Sequence, residues 1–155
     1  MKPVISILLL IICSYKIQAQ SNYSRAIGIK IPGGFSVSYK QFVADTKNLE
    51  AQATIWNKGF RVSGLYEFNY YNFNTAGLSW FVGPGAHIGF WKEDSPTPKT
   101  ENSKIDIGID GIIGLDYKIK NAPLNISLDW QPAITLIGTA GFTPAYGGVG
   151  IRYTF

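Results

Sequence analysis

Apolar and polar residues alternate along most of the chain after residue 24. The alternation is clearest between Leu124 and Leu136, where every second residue is apolar or proline and the residues between them are polar or small. Successive side chains of a β-strand point to opposite faces, so a period of two is typical of strands. The pattern predicts eight strand segments, at residues 25–31, 35–43, 48–56, 60–71, 77–91, 104–119, 124–137 and 145–155.

The connections between these segments are mostly short and rich in turn-forming residues. Residues 32–34 (Pro-Gly-Gly) and 57–59 (Asn-Lys-Gly) are typical of tight hairpin turns. The longest polar stretch is residues 92–103, and residues 138–144 form a second loop rich in Gly, Thr and Pro. Eight strands joined in series predict an all-β, antiparallel, up-and-down barrel, because an even number of strands closes without an open edge.

Alternation alone does not decide which face of the barrel points inward. A soluble lipocalin-like carrier would place the apolar face inside, whereas a transmembrane barrel would place it outside. The interior of an eight-stranded barrel is only just wide enough to be filled by side chains. The apolar phase is too bulky for that space, while the polar phase contains many glycines, so we predict an outward apolar face that lipid covers. Its bulky members include Phe60, Tyr66, Phe68, Trp80, Phe90 and Trp130.

The N-terminus predicts export of the protein. Lys2 precedes the apolar run at residues 4–12, and Ala19 supplies a small residue before a cleavage site. This arrangement is typical of a secretory signal peptide, and nine apolar residues are too few to span about 30 Å of hydrocarbon as a helix. The predicted organisation is a signal peptide at residues 1–19 and a barrel at residues 20–155.

Composition narrows the remaining classes of protein. Charged residues make up 15% of the chain and aromatic residues 14%, which argues against disorder. Cys13 lies in the predicted signal peptide and is preceded by Ile12, whereas lipoprotein processing favours a small residue at that position. The sequence therefore argues against lipidation at Cys13. Cleavage would remove two of the fourteen basic residues and leave twelve against ten acidic ones, a balance too weak to predict nucleic-acid binding.

Aromatic residues near the segment ends agree with a membrane location. Tyr and Trp occur there on the outward phase, as the interfacial girdles of membrane barrels require. Trp56 and Trp91 fall on the inward phase, and we expect them to close the lumen near its rim. With a periplasmic N-terminus, the loops at 92–103 and 138–144 would lie outside the cell. The outward aromatic residues are Tyr39, Tyr70, Trp80, Tyr117 and Tyr153.

Four parts of the chain carry a family resemblance. They are residues 77–89, 107–111 and 127–133 and the final Arg-Tyr-Thr-Phe. The chain resembles small eight-stranded outer-membrane proteins of the OmpA/OmpX type, and Bacteroidota barrels in particular. The resemblance covers residues 25–155. It implies an outer-membrane location, contact with outer-membrane lipid, and an assembly signal at Tyr153 and Phe155 that the barrel-assembly machinery reads. It implies little about activity, because such barrels serve many roles.

The inward phase of the predicted barrel carries nearly balanced charges. We expect a structural network of salt bridges in the lumen, because an unpaired buried charge costs several kcal/mol. The alternative is an ion path or a proton-responsive gate built on Arg152, Asp129 and Glu67. The predicted network comprises Lys30, Lys40, Glu50, Arg61, Glu67, His87, Asp106, Asp110, Asp116, Lys118, Asp129 and Arg152.

Candidate catalytic chemistry is weak. Lipid A deacylases of this size use a His–Ser pair with the Ser two residues after the His, and that position after His87 is Gly89. We expect no catalytic, cofactor or metal site, because one His and no mature Cys make a transition-metal site improbable. The predicted function is structural or surface interaction. Loop 92–103 offers a surface for a ligand, but its polar sequence favours a solvated hairpin loop. The alternatives are a narrow porin-like channel, a lipid-modifying enzyme and a soluble lipocalin-like carrier.

Overall fold

The computed structural model of the chain describes residues 23–32, 34–57, 59–91, 105–138, 140–144 and 146–155. The predicted signal peptide at 1–19 and the predicted surface loop at 92–103 lie outside the described residues. The strands are β1 (Arg25–Pro32), β2 (Phe35–Ala44), β3 (Lys47–Trp56), β4 (Gly59–Tyr70), β5 (Leu78–Trp91), β6 (Ile105–Lys118), β7 (Leu124–Trp130), β8 (Ala133–Ile137), β9 (Gly141–Thr143) and β10 (Gly148–Thr154).

These strands close into one barrel. Strands β1 to β6 pair in sequence, β6 pairs with both β7 and β8, and β10 pairs with β7 and β1. All pairs are antiparallel. Strands β7 and β8 are two parts of one barrel strand, and β9 and β10 are two parts of the last one. The predicted all-β, eight-stranded, up-and-down barrel is therefore confirmed. Among the described residues, no helix has the length and hydropathy needed to cross a membrane.

In two regions, the observed strands differ from the predicted segments by more than one residue at a boundary. The segment at 124–137 is interrupted after Trp130, because Pro132 has no N–H to give to a neighbouring strand. Its carbonyl instead accepts a hydrogen bond of 2.9 Å from the N–H of Gly111. Residues 138–144, predicted to be a loop, contain β9, which pairs with β8, and regular structure resumes only at Gly148.

Burial in the barrel is inverted relative to a soluble protein. Among the described residues, 23 polar or charged side chains are buried against five hydrophobic ones. Thirty-two large apolar or aromatic side chains are exposed. Most of the longer strands alternate, as in β7, where Asn125, Ser127 and Asp129 are buried and the residues between them are exposed. The apolar face therefore points outward, as the volume of the lumen predicts.

The two ends of the barrel are distinct. The terminal end holds the start of β1 and the end of β10, where Arg25 and Phe155 exchange two backbone hydrogen bonds of 2.9 Å. It also holds the turns that join β2 to β3, β4 to β5, and β6 to β7. The loop end holds the start of β2, the ends of β3 and β5, and the start of β6. Candidate functional side chains line the lumen between these ends.

Candidate functional site

The inward phase of the strands places charged side chains in the lumen at three levels. A charge in so narrow a space is stabilised only by partners close to it, because desolvation costs several kcal/mol per ion. The structure gives most of the predicted lumen residues such a partner. We define a terminal-end cluster, a middle pair and a loop-end cluster by the contacts described below.

Arg152 is the centre of the terminal-end cluster. Its guanidinium donates hydrogen bonds to the Ser38 hydroxyl at 2.8 Å and to the Ser127 hydroxyl at 2.6 Å. It also donates to a carboxylate oxygen of Glu50 at 2.7 Å, and both side chains of this salt bridge are fully buried. The rigid fork of Arg suits this role, because it offers several donors in fixed directions. Arg152 thereby ties β10 to β2, β3 and β7.

Lys40 is the second cation of the terminal-end cluster. Its ammonium lies 2.9 Å from Glu67, 3.4 Å from Glu50 and 3.9 Å from Asp116. The same ammonium lies 4.4 Å from the centre of the Phe81 ring, a cation–π distance. The single ammonium group of Lys40 thus forms salt bridges with three carboxylates. This sharing follows from composition, because six buried carboxylates face four buried Lys and Arg side chains in the described lumen.

Tyr23 closes the terminal-end cluster from outside the strands. Its hydroxyl donates a hydrogen bond of 2.8 Å to Asp116, and its ring packs edge-on against Phe42 at 5.2 Å. Asp116 also accepts from the amide of Asn125 at 2.8 Å. Burial raises the pKa of the Tyr23 phenol well above its ordinary value, and the negative charge of Asp116 raises it further.

The middle pair and the loop-end cluster are separate from these residues. In the middle pair, the ammonium of Lys30 lies 2.5 Å from Asp129. In the loop-end cluster, Asp110 forms a salt bridge with Arg61 and lies 3.1 Å from Nδ1 of His87. The charges therefore form local groups along the lumen instead of one continuous chain.

Aromatic side chains cover the loop-end cluster. The Trp56 and Trp91 rings stack with their centroids 5.6 Å apart, and Tyr146 packs against Trp56 at 5.8 Å. The Arg61 guanidinium lies 3.8 Å from the centre of the Tyr146 ring. The predicted closure of the rim by Trp56 and Trp91 thus has a geometric basis. Tyr146 also belongs to this rim. Sequence reasoning missed it because the alternation of the chain is broken before β10.

One predicted lumen residue and one predicted trio behave differently from the rest. Lys118 is only half-buried and donates to backbone carbonyls of the β6–β7 turn, at Ile119 and Ala122. Asp106, in contrast to Lys118, is buried on the inward phase near the loop end. The trio of Arg152, Asp129 and Glu67 does not meet as a unit, because each binds a different partner, Glu50, Lys30 and Lys40 respectively.

Sequence reasoning missed an apolar layer inside the lumen. Leu65, Phe81 and Ile112 lie on the inward phase and form a buried cluster, each at most 2% exposed. Along β4, Leu65 lies between Arg61 and Glu67, and along β6, Ile112 lies between Asp110 and Asp116. The layer therefore separates the loop-end cluster from the terminal-end cluster. The sequence did contain a signal for this layer, because these three apolar residues occupy positions of the inward phase.

The residues of the predicted assembly signal lie on the outer wall. Tyr153 and Phe155 are both exposed, and their rings stack with centroids 6.3 Å apart. The described residues contain no group of three or more His, Cys, Asp or Glu side chains arranged to hold a metal ion. In comparisons with known proteins, no family model, curated protein or solved structure matches the chain.

Proposed function

We propose that the protein is an integral outer-membrane β-barrel whose lumen is closed and whose role is structural or one of surface contact. The observation that carries this proposal is the outward belt of exposed Ile, Leu, Val and aromatic side chains around a polar, charged interior. In water such a belt would be unstable, whereas a lipid bilayer covers it.

Aromatic residues at the two ends of the belt support the proposal. Near the terminal end, the Tyr70 and Trp80 rings stack at 4.4 Å, and Tyr117 is exposed beside them. Near the loop end, the Phe60 and Phe90 rings stack at 6.2 Å. Two such bands are expected where a membrane barrel meets the bilayer interfaces.

The channel alternative lacks a supporting observation in the lumen. The side chains of Arg152, Lys40, Phe81, Leu65 and Gln131 are less than 2% exposed, so water does not reach them. The apolar layer and the Trp56–Trp91 stack obstruct the lumen at two further levels. These contacts favour a non-conducting barrel that acts through its outer wall and its surface loops.

The first test of the proposal is heat-modifiability. The exported protein is purified in detergent and run on SDS gels with and without boiling. A closed membrane barrel resists SDS until it is boiled, so we expect a mobility shift together with a β-type circular dichroism spectrum. A chain that stays soluble without detergent and shows no shift would refute the membrane proposal and favour the lipocalin-like alternative.

A matched pair of substitutions then tests whether lipid covers the outer wall. Ile151 lies in the middle of β10 and is 52% exposed, whereas Leu124 lies at the terminal end and is 39% exposed. We expect Ile151→Arg to lower the free energy of unfolding in bilayers by about 2–4 kcal/mol and Leu124→Arg by about 0–1 kcal/mol. Equal, near-zero effects on urea-induced unfolding would indicate that water surrounds both sites.

A further inference from the structure

The outer wall contains a groove on strands β2 to β5. It has a volume of about 610 Å³, which lies within the ~300–1,000 Å³ typical of small-ligand sites. The floor is shallow because outward positions that elsewhere carry Ile, Leu or aromatic residues are here Ala51, Gly64 and Pro84. Tyr66 and Leu49 form its sides. Most of its lining is apolar, so a hydrocarbon chain fits its chemistry.

A polar pair lies at one level of this groove. Gln41 lines it from β2, and the Tyr39 hydroxyl donates a hydrogen bond of 3.2 Å to the Gln41 side-chain oxygen. A glutamine on the lipid face is costly in pure hydrocarbon. Gln41 precedes the end of β2 by three residues, which is about 10 Å along the strand, or about 7 Å of depth in a tilted barrel. This depth corresponds to the ester level of a leaflet.

A positive charge lies at the end of the groove. Lys47 begins β3 on the same outward phase as Leu49 and Ala51, and its side chain is exposed next to the Phe68 ring. Charge, polar pair and apolar floor thus follow one another from the terminal end towards the middle of the wall. A second groove of about 430 Å³, between Trp80 and Trp130, has only apolar outward side chains and no such order.

The geometry points to a binding site for one anionic glycerophospholipid on strands β2 to β5. Lys47 pairs with the phosphate, the amide group of Gln41 donates to an ester carbonyl, and an acyl chain lies over Ala51, Gly64 and Pro84. This inference rests on the proposed membrane location, with the terminal end of the barrel facing the periplasmic leaflet.

Native mass spectrometry of the full-length expressed protein, purified in detergent, tests the site. Phosphatidylglycerol and phosphatidylcholine are added in separate titrations. We expect one phosphatidylglycerol per barrel, bound about fivefold more tightly than phosphatidylcholine, since one Lys near the headgroup contributes about that factor. Lys47→Gln should abolish the preference, and Ala51→Phe, which fills the floor, should weaken binding of both lipids about tenfold or more.

Two control variants match these changes. Lys120→Gln removes an exposed charge from the β6–β7 turn at the same end of the barrel, and Ala53→Phe adds a ring on β3 beyond the groove. Both should bind lipid as the unaltered protein does. The inference is overturned if Ala51→Phe binds lipid as the unaltered protein does, or if Lys47→Gln keeps the preference for phosphatidylglycerol. It is also overturned if the groove holds a second copy of the chain, seen as a dimer that Ala51→Phe dissociates.

Heat-modifiability, measured on every sample, separates this inference from the proposed function. A barrel that shows the mobility shift but binds lipid equally in all variants overturns the groove and leaves the membrane proposal standing. A chain without the shift overturns both.

Discussion

Single residues in the lumen connect strands that are distant in sequence. Arg152 reaches Ser38, which is 114 residues away, and Glu50, which is 102 residues away. Its loss would leave the Glu50 carboxylate buried beside a single shared cation, Lys40. A buried charge without its partner is far more costly than the same site with both charges removed.

Arg152→Gln is therefore expected to lower the free energy of unfolding by about 3–5 kcal/mol. The double variant Arg152→Gln with Glu50→Gln should lose clearly less than the sum of the two single changes, because no orphaned carboxylate remains. Ser127→Ala, which removes one hydrogen bond to Arg152, should cost about 1 kcal/mol. Urea unfolding in detergent micelles, followed by tryptophan fluorescence, measures the free energy of unfolding of Arg152→Gln, Glu50→Gln, the double variant and Ser127→Ala. Strict additivity would contradict a direct pairing.

Tyr23 predicts a loss of stability at alkaline pH. Its pKa is raised in the folded state, above about 10 in the unfolded chain. Its contribution to the free energy of unfolding is therefore complete below about pH 10 and falls as the pH rises from there towards the folded-state pKa. Tyr23→Phe lacks this titration, so its stability should fall less steeply above pH 10. Parallel alkaline unfolding curves for the two proteins would be the contrary result.

Among the elements, strands β4 and β5 have an interrupted register and a close backbone approach at one point. Their register omits the pairs Tyr66–Pro84 and Glu67–Gly83, where Pro84 has no N–H to donate. A Cβ atom at Gly83 would overlap the carbonyl oxygen of Tyr66. The missing side chain at Gly83 therefore allows the two backbones to pass this site.

Gly83→Ala should destabilise the barrel by about 1–3 kcal/mol, because the β4 backbone must move to accept the methyl group. Gly64→Ala is the matched control, since no heavy atom lies within 4 Å of the Cβ it would add. Its effect should stay within about 0.5 kcal/mol. The fraction of protein that keeps the unboiled gel mobility as urea increases measures both, and equal losses would show that the close approach is unimportant.

In the molecule as a whole, side chains that contact one another occupy the lumen at several levels between the rim and Tyr23. The Trp56–Trp91 stack, the Arg61–Asp110 pair, the apolar layer and the Arg152 cluster follow one another along the barrel. Ions crossing it would have to displace buried salt bridges. The proposed non-conducting barrel would therefore act through its wall and its loops.

Purified protein in planar bilayers should therefore give no discrete conductance steps at neutral pH. A larger porin in the same bilayers provides the positive control, and a protein-free bilayer provides the baseline. Reproducible steps from the unaltered protein would favour the narrow-channel alternative, and their loss in Arg152→Gln or Asp129→Asn would assign them to the lumen.

The pattern of residues along the chain was sufficient to predict most strand bounds, the antiparallel order of the strands and the orientation of their faces. Period-two alternation fixes which residues share a face, and the bulk of the apolar phase excludes it from a narrow lumen. That reasoning placed Lys40, Glu50 and Arg152 on the inward phase, where they are found buried. It also found the aromatic residues Trp56 and Trp91 at the rim.

Which inward residues contact one another could not be predicted from the pattern and became clear only in the closed barrel. The tilt and stagger of strands around a barrel set the height of each residue, and a period of two carries no information about that offset. Arg152 therefore binds Glu50 instead of Asp129, and Lys118 binds a turn instead of the network. Strand register likewise sets Ala51 on β3 opposite Gly64 on β4, with Pro84 on the next strand, so the groove depends on how these strands pair.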